Sequence, residues 1–199
     1  MKPLKHLFLF LGTAFLITAC VKTDKPTAAP TGESEIRQKI ATLYATYEDY
    51  REALYSQPIA SNLFSADLTR LLQQAVDLSK ADIERVAKSE YPTDKPALLE
   101  GSMFTSLYEG KTSYTITSMD IAQSVNPLGM QADVRVELEN TSVSPTITWT
   151  DSIHLVHADD SGWRVANITF FKEIAHTPDL VSGLQAFIAA NPQAKPRPQ

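Results

Sequence analysis

Nine consecutive residues, Gln131 to Glu139, alternate without a break between small apolar and polar side chains. Ala132, Val134, Val136 and Leu138 share one face of an extended chain, and Asp133, Arg135, Glu137 and Glu139 share the other. A period of two belongs to a strand that buries one face and leaves the other in water. Half-wet strands of this kind are at home in antiparallel sheets. The flanking sequence supplies partners: Thr112–Ile121 is rich in Thr, Tyr and Ile, Pro145–His157 reads as a third strand, and Trp163–Phe171 as a fourth. Asn126-Pro127-Leu128-Gly129 and Asp159-Asp160-Ser161-Gly162 are turn sequences between them, so the strands should run as an antiparallel meander.

Helical periodicity precedes the strands. Between Ser34 and Ser56, Ile36, Ile40, Leu43, Tyr44, Tyr47, Tyr50 and Leu54 fall at steps of three and four, predicting one helix that Pro58 ends. Ser65 and Asp67 announce a second helix by cap and first-turn acid, with Leu68, Leu71, Leu72, Ala75 and Val76 as its stripe. Ser79-Lys80-Ala81-Asp82 resembles a weak capping box that would open another turn or two. Residues 91 to 110, punctuated by Pro92, Pro96, Gly101 and Gly110, read as irregular. Thr177-Pro178-Asp179 predicts a last helix with Thr177 as cap, proline at the first position and an early acid. The fold class is therefore α+β: N-terminal helices packed on one face of a curved antiparallel sheet, with a short C-terminal helix. Such a sheet and its first helix can enclose a cone-shaped cavity.

The N-terminus gives an address. Lys2 and Lys5 precede an apolar run from Leu7 to Ile17, too short for a spanning helix of about 20 residues. The run closes on Leu16-Ile17-Thr18-Ala19-Cys20, which resembles the lipobox of bacterial lipoproteins. That resemblance implies removal of residues 1–19, acylation of Cys20, and a lipid anchor that holds the protein at a membrane. Three acyl chains, each contributing about 0.8 kcal/mol per buried methylene, would make the anchor effectively permanent. Val21, where an Asp would favour the inner membrane, points to the outer membrane with the domain in the periplasm. Residues 20–33 then form a lipidated Thr/Ala/Pro-rich tether, 34–190 a single domain, and 191–199 a disordered tail.

Losing Lys2 and Lys5 from the eighteen basic residues leaves sixteen against twenty-three acidic ones, a net charge near −7. That balance argues against a nucleic-acid partner and against docking of the folded surface on anionic lipid. Cys20 is the single cysteine, so the chain has no disulfide framework and, once acylated, no thiol chemistry.

Two stretches carry a family resemblance. Trp149-Thr150-Asp151-Ser152-Ile153-His154-Leu155-Val156 with Gly162-Trp163-Arg164-Val165-Ala166-Asn167-Ile168 looks like the closing hairpin of the nuclear-transport-factor-2-like superfamily. With Met103-Phe104-Thr105-Ser106-Leu107-Tyr108-Glu109-Gly110, the chain is similar to the bacterial lipoproteins of domain of unknown function 3828, over roughly residues 35 to 190. The resemblance implies a fold but no reaction. It departs at Asn167, where the group tends to carry an acid.

Candidate chemistry is sparse. Asp151 is the one charged residue on the face formed by Ile147, Trp149, Ile153 and Leu155, where it could serve as a general base or simply cap a neighbouring group. Tyr44 and Tyr47, with Tyr50, could line a pocket together with Trp149 and Asp151, or could be core. His154 and His157 should point to opposite faces of their strand, which speaks against a metal pair; His176 should be exposed. Phosphate loops and serine-hydrolase elbows are absent, and no cofactor is expected. These features predict a non-enzymatic binding role, toward an envelope protein or a small apolar ligand in the cone. The rivals are an immunity protein against a delivered toxin and a cone-pocket enzyme using Asp151.

Overall fold

The computed structural model describes residues 32–125, 128–158 and 162–191. The expected signal segment, Cys20, most of the expected tether, Asn126-Pro127, residues 159–161 and residues 192–199 lie outside the described residues.

Three helices, α1 (Glu33–Thr46), α2 (Ala66–Ala87) and α3 (Leu180–Ala190), accompany four strands, β1 (Ser113–Val125), β2 (Leu128–Asn140), β3 (Ile147–Ala158) and β4 (Gly162–Thr169). The strands form one antiparallel sheet in the order β1-β2-β3-β4. Along β2 the alternation is realised in full: Ala132, Val134, Val136 and Leu138 are buried and the charged residues between them face out. Register carries the same face onto β3, where Val136 pairs with Asp151 and Leu138 with Trp149. A bulge at Ala166 lets both Val165 and Ile168 face inward on β4. Against this face pack Ile36, Ile40 and Leu43 of α1 and Leu68, Leu72 and Val76 of α2. Residues 63–65 cover the open edge of β4: the Val165 amide donates to the Leu63 carbonyl at 2.9 Å, and the Ser65 amide to that of Val165 at 2.8 Å. An exposed edge would invite intermolecular pairing; here the chain caps its own.

Several boundaries differ from the sequence-based expectation, and one residue of the expected tether is packed: Gly32 is seated on Trp163. A Cβ there would fall 2.7 Å from the indole nitrogen, and φ is +125°. Helix α1 stops at Thr46 rather than near Ser56, although the apolar spacing continues. Asp49 accepts from the Arg51 amide at 3.0 Å and grips its guanidinium through both oxygens, offering the backbone a local turn in place of the helical ladder. Only a single 3-10 turn, Leu54–Ser56, returns before Pro58. By contrast α2 runs unbroken through Ser79, and Asp82 is used tertiarily: it pairs with Arg85 at 2.6 Å and accepts from the Ala97 amide at 2.7 Å. In α3 the cap is Asp179, not Thr177. Thr169 bridges Asp179, and Phe170 donates to the Pro178 carbonyl at 3.0 Å, so these residues are drawn into extended pairing before the helix begins.

Candidate functional site

Strand periodicity turns Asp151 toward the core, where it is 0% exposed. A carboxylate there must be hydrogen-bonded or neutral. One oxygen accepts from the Ser106 amide at 3.0 Å and from the Trp149 indole at 3.2 Å. The other accepts from the Ser106 hydroxyl in a very short contact and from the Phe171 amide at 3.2 Å. Phe171 also donates to the Ser106 hydroxyl oxygen at 2.6 Å. Burial pushes the Asp151 pKa above the ordinary carboxylate value, while the bonds from Ser106, Trp149 and Phe171 pull it back part of the way. The arrangement ties three separate pieces of chain together: β3, the irregular segment around Ser106, and the exit from β4. Ser106 is not recognisable from sequence as a functional position, because a serine in an aperiodic segment carries no pattern. Only the resemblance singled out its surroundings.

Of the five residues expected to line a pocket, two meet directly, through the Trp149–Asp151 hydrogen bond, while Tyr50 lines clefts at the end of α1. Tyr44 lies close enough for the field of Asp151 to act on it, second to burial, in raising its pKa, yet no hydrogen bond joins them. The Tyr44 hydroxyl is buried without a partner among the described residues. Tyr47 faces elsewhere. Its hydroxyl accepts from the Ala60 amide at 2.9 Å and donates to the Pro58 carbonyl at 3.3 Å, and its ring packs 4.4 Å from Phe104 and 5.9 Å from Phe64. These rings fill the space between helix and sheet. Neither Trp149 nor Asp151 lines any of the four principal clefts among the described residues. None of these four clefts is shared by Tyr44, Tyr47, Trp149 and Asp151.

The histidines divide as strand geometry predicts. His157 packs edge-on against Trp163 at 5.2 Å, whereas His154 lies on the outer face, between Asp133 at 2.5 Å and Thr169 at 2.7 Å. His176 is exposed, at the rim of a cleft of about 250 Å³ that also reaches Ser106. Asn167 caps α3: its amide donates to Asp179 at 3.1 Å while its carbonyl accepts from the Val181 amide at 3.1 Å. An acid at this position would set two carboxylates against each other.

The largest of these four clefts, about 450 Å³, opens where α1 ends, lined among others by Glu48, Asp49, Arg51, Glu109, Lys111 and Asn140. A second, of about 350 Å³, adjoins it through Glu48, Lys111 and Thr112, and is walled by Tyr44 and Tyr114. No group of three or more metal-ligating side chains occurs among the described residues, nor any helix long and apolar enough to cross a membrane. No family model matches the chain, and no curated protein or solved structure matches it either. The class this supports is an α+β domain with a four-stranded antiparallel sheet, a filled interior and polar surface clefts.

Proposed function

We propose that this chain is an outer-membrane lipoprotein, anchored through Cys20, whose nuclear-transport-factor-2-like domain works by binding an envelope protein and not by catalysis. The observation that carries this reading is the state of Asp151. A general base needs an open coordination position and a substrate within hydrogen-bond reach. Asp151 instead holds four donor contacts with its two oxygens and borders none of the principal clefts. A structural carboxylate in a filled core leaves the surface as the working part of the molecule, which suits a tethered domain that meets partners in the periplasm. The experiment is crosslinking in intact cells with the lipidated protein, followed by identification of what is captured. A specific envelope partner, lost when Cys20→Ser releases the protein from the membrane, supports the reading. Absence of any reproducible partner, together with turnover of a substrate that Asp151→Asn abolishes, overturns it in favour of the enzyme.

A further inference from the structure

A single lysine, Lys111, lines both the cleft at the end of α1 and the one that adjoins it. Lys111 lies between two anchored stretches of backbone. On one side Asn140 donates to the Gly110 carbonyl at 2.9 Å and accepts from the Ser142 amide at 2.8 Å, pinning the turn to the loop that follows β2. On the other, the Thr112 amide donates to the Glu139 carbonyl at 2.7 Å, and the Thr112 hydroxyl accepts from the Thr141 amide at 3.1 Å. The ammonium sits 5.0 Å over the Tyr44 ring and 5.6 Å over the Tyr114 ring, the two rings being 4.8 Å apart. It forms no ion pair within 4.0 Å among the described residues. Aromatic faces steady a cation without neutralising it, so its positive charge still attracts an anionic group.

The rest of the cleft carries the opposite sign. Asp49 and Arg51 cancel each other in a two-pronged pair at 2.8 Å, and that pairing holds the Asp49 pKa down to about 2. Glu48 and Glu109 remain, both exposed and both without an ion pair among the described residues. A simple anion drawn to Lys111 would meet these two carboxylates, and a simple cation drawn to them would meet Lys111. A molecule bearing both charges satisfies the cleft at once.

We infer that this cleft is a binding site for a small zwitterion, an amino acid or short peptide, with its carboxylate on Lys111 and its ammonium between Glu48 and Glu109. A volume of about 450 Å³ accommodates a ligand of that size. The inference rests on the reading of the domain as a binding module, but not on the identity of its protein partner.

The test is isothermal titration of the detergent-solubilised full chain with alanyl-alanine, and separately with acetate and methylammonium, each to about 10 mM, an order of magnitude above a millimolar Kd. The dipeptide should saturate, with each singly charged control at least about tenfold weaker. Lys111→Met should weaken dipeptide binding by about tenfold and Lys111→Arg should largely retain it, while Glu109→Gln should weaken the dipeptide and leave acetate no worse. Lack of dipeptide binding, acetate binding as tight as the dipeptide's, or indifference to Lys111→Met overturns the site. Mass analysis of the recovered dipeptide separates the two readings: cleaved dipeptide would overturn the non-catalytic function and leave the site standing, whereas intact but unbound dipeptide would do the reverse.

Discussion

Asp151→Ala removes the acceptor on which three buried donors depend. Among the described residues the Ser106 amide and the Trp149 indole have no other partner, and the Ser106 hydroxyl loses its acceptor, whereas the Phe171 amide keeps the Ser106 oxygen at 2.6 Å. A buried donor left unsatisfied costs about 1–3 kcal/mol, and relief of the desolvated carboxylate returns part of it, for a net loss of about 3–5 kcal/mol. That is a large share of a domain's typical stability of about 5–15 kcal/mol. Asp151→Asn should cost far less, about 0.5–2 kcal/mol. Its amide nitrogen can replace the oxygen facing the Ser106 hydroxyl, which then accepts instead of donating, while its remaining oxygen serves the Ser106 amide and Trp149. Urea denaturation followed by fluorescence of Trp149 and Trp163 measures both, with the midpoint moving and the slope unchanged. The pH dependence has a definite sign. Because burial raises the Asp151 pKa in the folded state, the folded protein holds that proton more tightly than the unfolded chain. Its contribution is full below about pH 4, where the unfolded carboxyl is protonated too, and is lost as pH rises through the folded pKa. The stability of the wild type relative to Asp151→Asn should therefore fall as pH rises above about 4 and then level off. An alanine variant within about 1 kcal/mol of wild type, or one no worse than asparagine, would refute the linking role of the carboxylate. A relative stability that climbs with pH would show that the four donors outweigh burial.

Cys20→Ser should release the protein from the membrane fraction and abolish fatty-acid labelling; unchanged fractionation would remove the lipoprotein reading. Trp163→Ala should cost about 3–5 kcal/mol by denaturant midpoint, since the ring is buried against Gly32 and His157, and an unshifted midpoint would contradict that packing. Asn167→Asp should destabilise by about 1–2 kcal/mol at neutral pH by opposing Asp179, with the loss shrinking as the pair takes up a proton in acid. A pH-independent effect would assign it to the lost cap alone.

The alternation from Gln131 to Glu139 determines more than a strand. Because a period of two leaves one register that buries Val134 and Val136, it also set the face of Trp149 and Asp151 once β3 paired beside it. The opposed directions of His154 and His157 follow from the same period, as does the burial of Trp163 with Val165. The proposed address rests on a different kind of signal: a leader and a lipobox-like ending before Cys20 would be read as sequence and require no fold.

What only the tertiary structure decided depended on contacts between residues far apart in the chain. The four-donor setting of Asp151 turned on Ser106, 45 positions away, arriving with two donors. Helix α1 kept its apolar spacing past Thr46, yet the Asp49–Arg51 turn and the anchoring of Tyr47 to Pro58 and Ala60 ended it there. Lys111 offered no signal at all: a lysine between a glycine and a threonine gains meaning only when α1, β1 and the loop after β2 converge around it. Periodicity is local and fixes which way a side chain points, whereas a site is defined by what the rest of the chain brings opposite it.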